Sequence, residues 1–296
     1  MPDISLVFGP DSKAIVSSTG AALLELSIDS KKLITRTVDS IEIFAGSVLA
    51  PWQNRLAQGE WLDSGGEKRS LAINEQVLGN ALHGLVFTSE FVVLEQSSNR
   101  VVLGTRIVAT DGYPFNVDIE ITYEINELGF SCEFSATNAS ESAAPFVIGF
   151  HPYFTIGDPE GATLKIPAQS YYPQDANKIP LAKASVIGTS FDFRSARELV
   201  GVTLDDYFTD LETTNGEVTS SLRTANWSME LSQSANLRHL VVYLKNNYES
   251  EGKLVTAIAI EPASGPANAL NSKEDLTLIE PADSFRGNWS VRLTAQ

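Results

Sequence analysis

The feature that most constrains the fold of this chain is a strict alternation of apolar and polar residues. In the segment VDIEITYEI, residues 117–125, every apolar side chain falls on one face and every polar side chain on the other. This period of two predicts a half-buried β-strand. Turn residues follow at 126–129, and the run that begins at Phe130 resumes the alternation, which predicts an antiparallel hairpin.

The rest of the chain repeats this strand signal. Alternating or β-rich runs cover residues 4–8, 22–28, 91–94, 101–108, 227–231, 240–244, 254–260 and 289–293. No segment shows a sustained helical stripe, and only residues 272–276 indicate a turn of helix. Many closely spaced strands with turn residues between them predict an all-β fold, a large antiparallel sandwich or barrel.

Length and composition favour one globular domain. The chain has 296 residues, of which 43% are hydrophobic and 20% charged. It contains no repeat, no low-complexity stretch and no linker rich in proline, glycine or serine. Because all-β domains routinely exceed the usual size of about 150 residues, we expect residues 1–296 to form a single domain.

Charge and targeting signals exclude several classes of function. Lys and Arg total 21 against 37 Asp and Glu, a formal net charge of −16, so nucleic-acid phosphates and anionic membrane surfaces would repel the chain. We therefore expect no nucleic-acid partner and no membrane partner. The amino terminus lacks a secretory signal, and apolar runs such as 143–150 are far shorter than the roughly 20 residues that span a bilayer. These features predict a soluble, cytoplasmic protein.

The supply of cysteine and histidine limits metal and redox chemistry. Cys132 is the single cysteine, which rules out an internal disulfide and a thiolate zinc cluster. Its place in an alternating run predicts a small buried hydrophobic residue. Three histidines are present, and we interpret His239, which precedes an apolar run, as a surface or strand-end residue rather than a catalyst.

His83 and His151 are the stronger candidates for catalysis. His83 precedes Gly84, which allows a sharp turn or a close backbone approach, and it is equally compatible with a structural turn and a functional group. His151 ends an apolar run and precedes Pro152, so a strand would deliver the imidazole to the edge of a sheet. Flanking aromatic side chains would hold its pKa near neutrality, where general acid catalysis is most effective. A buried histidine bonded to a backbone carbonyl is the structural alternative.

Two charged residues lie in unusual surroundings. Glu261 closes the apolar strand predicted over 254–260, where a carboxylate is costly to desolvate without partners, so we assign it a functional role. Arg55 lies between Asn54 and a glycine turn at Gly59. It is compatible with a clamp on a hydroxylated ligand and with an ion pair to a surface carboxylate.

Five motifs connect these residues in chain order. They are Asn54-Arg55 ahead of a glycine, Asn74-Glu75 ahead of Leu82-His83-Gly84, His151-Pro152-Tyr153-Phe154, Leu204-Asp205-Asp206-Tyr207-Phe208, and Glu261-Pro262 with Gly265-Pro266 and Asn268-Ala269-Leu270-Asn271. In order and spacing this set resembles the aldose 1-epimerase family, the galactose mutarotase-like enzymes. The segment 49–52 is most similar to a bacterial branch that includes sugar and sulfosugar mutarotases.

The resemblance implies a fold and a chemistry. The fold is a β-supersandwich, in agreement with the strand pattern. The activity is the interconversion of the α and β anomers of a free aldose, with no cofactor and no metal. By position, Glu261 would be the general base at the anomeric hydroxyl and His151 the general acid at the ring oxygen. His83 would assist at that same oxygen.

The resemblance also implies contacts to a small-molecule sugar. Arg55 and Asp205 would hold sugar hydroxyls, Asn54 would support the arginine, and Tyr153 would form part of the wall. No oligomeric state is predicted.

The chain departs from the family pattern at two positions. Asp206 stands where the family often has a histidine, which leaves open whether Asp205 or Asp206 contacts the sugar. Val241 stands where the family commonly has a glutamine, which removes one contact to a hydroxyl. Both changes bear on substrate specificity more than on the acid–base pair.

Alternatives remain within and beyond this family. A neutral hexose such as glucose or galactose is the first expectation, and an anionic hexose, a hexose-6-phosphate or sulfosugar, would need a cation such as Arg69 or Arg106. A non-catalytic carbohydrate-binding protein on the same fold is a second class. A metal-dependent oxygenase would use His83, His151 and Glu261 as ligands, but the two histidines lack the close spacing of such motifs.

Overall fold

A computed structural model of the protein describes residues 3–38, 40–41 and 43–295, and almost all of its regular structure is β-strand. The strands are, in chain order, β1 (Ile4–Phe8), β2 (Ser12–Val16), β3 (Leu23–Ile28), β4 (Lys31–Ile34), β5 (Val48–Leu49), β6 (Arg55–Ala57), β7 (Glu60–Leu62), β8 (Lys68–Ser70), β9 (Asn80–Leu82), β10 (Val92–Gln96), β11 (Arg100–Ile107), β12 (Val117–Asn126), β13 (Gly129–Asn138), β14 (Ala144–Phe146), β15 (Gly149–Phe150), β16 (Tyr153–Gly157), β17 (Thr163–Lys165), β18 (Ala168–Tyr172), β19 (Ala184–Ser185), β20 (Arg197–Glu198), β21 (Asp205–Leu211), β22 (Glu217–Arg223), β23 (Ser228–Ser234), β24 (His239–Ser250), β25 (Lys253–Ala263), β26 (Thr277–Ile279) and β27 (Ser284–Thr294). One short helix, α1 (Ala269–Ser272), lies between β25 and β26. The prediction of an all-β fold is confirmed.

Three sheets contain most of the strands. The first has the order β1-β2-β3-β4, and the nine-stranded sheet has the order β10-β11-β12-β13-β27-β23-β22-β17-β20. The eight-stranded sheet has the order β19-β18-β21-β24-β25-β15-β5, with β16 also paired to β25. Neighbouring strands in the two large sheets are antiparallel. Smaller two-stranded sheets, including β6-β9, lie beside them.

The two large sheets pack against each other through aromatic side chains. The ring of Phe150 on β15 lies 5.8 Å from the ring of Phe134 on β13 and 5.8 Å from that of Trp289 on β27. All three rings are buried. Two antiparallel sheets that bury their facing sides in this way form a β-sandwich.

The alternating sequence runs lie where the pattern predicts them. Residues 117–125 belong to β12, whose side chains alternate between buried and partly exposed positions, and β12 pairs with β13 across a two-residue loop at 127–128. Cys132 is buried on β13, as its position predicts. The period-two signal therefore locates the central hairpin of the nine-stranded sheet.

The turn of helix predicted at 272–276 is wrong. The helix is α1, and it ends because Lys273 adopts a left-handed conformation with φ 62° and donates its backbone N–H to the carbonyl of Ala269. Ala269 and Leu270 are buried. Burial of these two side chains, rather than the charged residues that follow, fixes the position of the helix.

From Thr256 to Ala263, β25 is buried on both faces, which explains its mostly apolar sequence there. Ile258 and Ile260 belong to the core between the large sheets, whereas Ala259 packs with Tyr153 in a separate cluster. Because successive side chains of a strand point to opposite faces, Glu261 shares the face of Ala259. The eight-stranded sheet therefore carries Glu261 on the face turned away from the sandwich core.

Replacing Phe134 by alanine removes a ring from the contact between the two large sheets. We expect the free energy of unfolding to fall by about 3–5 kcal/mol, because the surrounding side chains relax only partly into the cavity. Urea unfolding followed by tryptophan fluorescence measures the loss. Phe8→Ala, at a ring that is 39% exposed, is the control, and equal losses for the two variants would contradict this description of the core.

Candidate active site

Adjacent strands of the eight-stranded sheet bring several candidate residues to one face. The register aligns Asp205 on β21 with Tyr243 on β24, and both Tyr243 and Tyr153 on β16 with Ala259 on β25. Residues aligned in this way share a face of the sheet. Glu261 lies two residues further along β25, which continues to residue 263, so Glu261 lies within the strand rather than at its end.

A second group of candidates comes from the small sheet of β6 and β9. Asn54 precedes β6 and His83 follows β9, so the two residues lie just beyond the paired segment. Both are left-handed, with φ 53° and 66°, and the backbone N–H of His83 donates to the carbonyl of Asn54 at 2.9 Å. Gly84 follows with φ 80°, and a Cβ at this position would lie 2.1 Å from the carbonyl oxygen of Ala50. Glycine is therefore required for the close approach that the sequence predicted.

The two groups face each other across a cleft of about 220 Å³. Its lining residues are Ile43, Phe44, Asn54, Arg55, Leu82, His83, His151, Tyr153, Asp205, Tyr243, Lys245 and Glu261. The structure thus brings together the seven residues to which the family resemblance assigned a role in catalysis or sugar binding. They are Asn54, Arg55, His83, His151, Tyr153, Asp205 and Glu261. Reasoning from the sequence missed Tyr243 and Lys245, although the period of two along β24 places both on the face of Val241.

His151 and Glu261 form a buried pair in this cleft. The Nε2 atom of His151 lies 3.5 Å from the Oε1 atom of Glu261, and the side chains are 6% and 3% exposed. The Oε2 atom of Glu261 has no hydrogen-bond partner among residues 3–38, 40–41 and 43–295. Burial raises the pKa of Glu261 well above its ordinary value, and the charge of Asp205 raises it further. The carboxyl group is therefore favoured in its protonated form.

The sequence predicted a pKa near neutrality for His151, and this prediction is wrong. Burial lowers the pKa of His151 to about 4. The ring of Tyr153 stacks on the imidazole with centroids 4.9 Å apart, and the ring of His83 packs edge-on at 5.2 Å. These rings exclude water and so remove the solvation that the charged imidazolium needs. A single proton shared by the pair is thus favoured on Glu261.

Hydrogen bonds hold Arg55 in one orientation. Its Nε and Nη2 atoms donate to the carboxylate of Glu75 at 3.0 and 2.9 Å. Its Nη1 atom donates to the hydroxyl of Tyr207 at 3.0 Å and to Oδ1 of Asn54 at 3.3 Å. Although burial opposes the charged form, the hydrogen bonds to Glu75 raise the pKa of Arg55 above its ordinary value. Arg55 is therefore a fixed cation at the cleft wall.

His83 is a neutral hydrogen-bond donor. Its Nδ1 atom accepts the backbone N–H of Asn54 at 3.3 Å, and since an amide N–H only donates, the ring proton lies on Nε2. Burial and the nearby charges of His151 and Arg55 lower the pKa of His83 well below its ordinary value. The ring of Phe44 packs against it at 4.4 Å.

The structure separates the two aspartates that the sequence left as alternatives. Asp205 lines the cleft, and its carboxylate accepts a hydrogen bond from Nζ of Lys178 at 2.9 Å. The carboxylate of Asp206 instead accepts the backbone N–H of Asp205 at 3.0 Å, and Asp206 is not part of the lining. Of the two aspartates, Asp205 is therefore the one that faces the cleft.

The further cations considered from the sequence lie outside the cleft. Arg69 forms ion pairs with Asp63 and Glu67, and Arg106 pairs with Asp118. Neither arginine contributes to the lining. A charged substituent in the cleft would therefore need a different partner.

His239 begins β24, as a strand-end residue should, but the expectation that it lies at the surface is wrong. It is 2% exposed, and its Nε2 atom lies 3.0 Å from Oδ2 of Asp275. The ring packs near Tyr172, with centroids 6.1 Å apart. The contact with Asp275 gives Nε2 of His239 a partner within the protein, and His239 does not line the cleft.

Two features of the described residues bear on other classes of function. Within residues 3–38, 40–41 and 43–295, no three side chains of His, Cys, Asp or Glu are grouped so as to hold a metal ion. The three ligands of the oxygenase alternative therefore lack a metal-binding arrangement. In the same ranges, no helix has the length and apolar character needed to cross a membrane.

Comparison with known proteins identifies the family. The model of the aldose 1-epimerase family matches residues 2–292. The chain belongs to the aldose 1-epimerase family. The resemblance inferred from the order of the motifs is confirmed, and the aldose 1-epimerases are isomerases, which places this chain in that enzyme class.

Relatives and solved structures agree with this assignment. YihR of Escherichia coli K12, an uncharacterized protein, is 28% identical over 288 residues, which cover 96% of this chain and 90% of YihR. The aldose 1-epimerase of the same strain is 28% identical over 173 residues, 55% of this chain and 49% of the enzyme. The crystal structure of the aldose epimerase homologue from C. elegans matches with a TM-score of 0.85 at 20% identity. The match covers 99% of this chain and 98% of the C. elegans chain. The last comparison shows that the fold is shared.

Replacing Glu261 by glutamine tests the raised pKa of this carboxyl through stability. An acid whose pKa is raised by folding contributes stability that is present at low pH and is lost as pH rises above its ordinary value of 4.5. We therefore expect the free energy of unfolding of Glu261→Gln to increase relative to wild type as pH rises above that value. For the uptake of one proton, this difference in the free energy of unfolding changes by at most about 1.4 kcal/mol per pH unit.

Urea unfolding at a series of pH values measures this difference. Glu127→Gln, at an exposed position of the β12–β13 loop, is the matched control, and its difference from wild type should stay flat. A flat difference for Glu261→Gln as well would contradict the raised pKa.

Proposed function

We propose that this protein is a mutarotase that interconverts the α and β anomers of a free hexose by acid–base opening of the ring. The observation that carries the proposal is the buried pair of His151 and Glu261, 3.5 Å apart in a cleft that also contains fixed polar groups. Ring opening needs one proton acceptor and one proton donor near adjacent oxygens, and this pair supplies both. The reaction requires no cofactor.

Glu261 acts as the base and His151 as the acid. Glu261 removes the proton of the anomeric hydroxyl while His151 protonates the ring oxygen, and the bond between C1 and the ring oxygen breaks to give the open-chain aldehyde. Rotation about C1–C2 presents the other face of the carbonyl. The freed hydroxyl then adds to C1, its proton returns to His151, and Glu261 returns its proton to the carbonyl oxygen. Each positioned group typically contributes roughly 10²–10⁴-fold to the rate.

Burial of His151 and Glu261 favours the protonation state that this pair has after the sugar ring has opened. The raised pKa of Glu261 and the lowered pKa of His151 favour a protonated carboxyl beside a neutral imidazole, which is the state that accompanies the open-chain sugar. A cyclic sugar favours the reverse state. Its anomeric hydroxyl donates to the ionised carboxylate and its ring oxygen accepts from the imidazolium, and each hydrogen bond stabilises the charged form.

The remaining candidates bind and orient the sugar. His83 donates from Nε2 to the ring oxygen, while Arg55 and Asp205 hold hydroxyl groups as a donor and an acceptor. The polar partners of each restrict its orientation. Tyr153, stacked on His151, forms the wall behind the acid. Groups that are fixed before the sugar binds reduce the entropy lost in reaching the reactive geometry.

Polarimetry of freshly dissolved α-glucose and α-galactose, with EDTA present, tests the proposal. We expect wild type to accelerate the approach to anomeric equilibrium and Glu261→Gln to lose about 10²-fold or more of that acceleration, because an amide does not accept the proton. Glu274→Gln is the control, since Glu274 accepts a hydrogen bond from Tyr172 outside the cleft. Absence of acceleration by wild type on neutral and anionic hexoses would contradict the proposal and favour a sugar-binding protein.

One observation favours an anionic hexose as a second candidate substrate. Lys245 lines the cleft, and within the part of the chain that the structure describes its ammonium group has no ion pair or hydrogen bond. Arg55 and Lys178, by contrast, are paired with Glu75 and Asp205. An unpaired ammonium group at the wall of a cleft is suited to a phosphate or sulfonate substituent.

Lys245→Gln separates the two candidate substrates. If the substrate is anionic, we expect KM for glucose-6-phosphate or a 6-sulfonated hexose to rise by about tenfold or more relative to the change for glucose, because a charge-assisted contact is lost. Anomer exchange measured by NMR gives KM for each sugar. Lys183→Gln, whose ammonium pairs with Asp210 outside the cleft, is the control, and equal changes for neutral and anionic sugars in Lys245→Gln would remove this candidate.

A further inference from the structure

A buried tyrosine outside the cleft lining connects two of the cleft residues, Asn54 and Arg55. The hydroxyl of Tyr207 donates to Oδ1 of Asn54 at 2.7 Å and accepts from Nη1 of Arg55 at 3.0 Å. The carbonyl oxygen of Lys178 lies 3.2 Å away, at a longer distance than Asn54. Tyr207 is 1% exposed and does not line the cleft. Its hydroxyl therefore acts on other side chains and not on a ligand.

Asn54 transmits this contact to His83. The oxygen of its side chain accepts from both Tyr207 and Arg55, so two donors fix the amide. The backbone N–H of Asn54 donates to Nδ1 of His83, and its carbonyl accepts the backbone N–H of His83. Asn54 and His83 thus hold each other through two hydrogen bonds while both are left-handed.

This geometry decides which nitrogen of His83 carries the proton. Nδ1 accepts from an amide, so the proton of the neutral ring lies on Nε2. The contacts of Tyr207 and Arg55 to the Asn54 side chain restrain the left-handed turn at this residue. If that turn shifts, the backbone N–H of Asn54 no longer holds Nδ1 and both neutral tautomers become accessible. Only the tautomer with the proton on Nε2 presents a donor at that atom to a ligand oxygen.

We propose that the Tyr207 hydroxyl is a positioning group that fixes His83 as an Nε2–H donor and holds Arg55 in its orientation at the cleft. The ring of Tyr207 packs with Tyr172 and Val241 in a small buried cluster, and that packing does not depend on the hydroxyl. The kinetic consequence rests on the proposed mutarotase function, but the tautomer of His83 does not. The two parts are therefore tested separately.

Tyr207→Phe keeps the ring and removes the hydroxyl. The matched control is Tyr172→Phe, because Tyr172 belongs to the same cluster and its hydroxyl donates to Glu274 away from the cleft. The ring nitrogens of His83 are observed by NMR of protein labelled with ¹⁵N-histidine, and their signals are assigned by their loss in His83→Gln. We expect one Nε2–H tautomer in wild type and Tyr172→Phe, and a mixture of tautomers in Tyr207→Phe.

The kinetic measurement compares the same variants in mutarotation. We expect Tyr207→Phe to lower kcat/KM by about 10–100-fold, since two contacts to polar or charged groups are lost together, and Tyr172→Phe to stay within about threefold of wild type. An unchanged His83 tautomer in Tyr207→Phe would overturn the proposal whatever the activity. Equal kinetic losses in both variants would overturn it too, because they would indicate a packing effect.

Asn54→Gly provides an independent variant if Tyr207→Phe does not fold. Glycine tolerates the left-handed backbone at this position and lacks the oxygen that Tyr207 and Arg55 hold. We expect the same mixture of His83 tautomers. A single Nε2–H tautomer in Asn54→Gly would show that the side-chain contact does not fix His83 and would overturn the proposal.

Discussion

The chemistry of the cleft depends on a carboxyl group that is buried within a β-sheet. Glu261 lies in the part of β25 that is buried on both faces, with one oxygen 3.5 Å from His151 and the other without a hydrogen-bond partner in the described ranges. An ionised carboxylate in such surroundings costs several kcal/mol unless a partner compensates it. The raised pKa of Glu261 and the lowered pKa of His151 therefore favour a neutral acid beside a neutral imidazole over the charged pair.

The cleft is built from two parts that have different tasks. The eight-stranded sheet places Glu261, Asp205 and Tyr153 on one rigid face, and His151 follows the short strand beside them. The small β6–β9 sheet supplies Arg55 and the neighbouring donors through turns with positive φ. The groups proposed as acid and base thus come from the sheet, whereas most of the groups proposed to orient the sugar come from the turns. Hydrogen bonds fix the groups that come from the turns, and the ring of Tyr153 stacks on His151, which favours a site that is formed before the sugar binds.

The sequence predicted much of this arrangement, and its failures have physical causes. The period of two located the β12–β13 hairpin because one face of that pair is buried, and the order of the motifs named seven residues that line the cleft. The lowered pKa of His151 was missed because local sequence does not report how deeply a side chain is buried. The role of Tyr207 was missed because its partner Asn54 is 153 residues away in the chain, and no periodic pattern connects segments so far apart.

The protonation state of Glu261 tests the central claim most directly. Infrared difference spectra of wild type against Glu261→Gln, recorded without sugar over a series of pH values, distinguish the C=O stretch of a protonated carboxyl from the bands of a carboxylate. The account predicts that the C=O band of Glu261 persists to a pH well above the ordinary pKa of 4.5, because burial and Asp205 raise its pKa. A carboxylate band that replaces it at or below that ordinary value would contradict the account, since burial would then not hold the proton on Glu261.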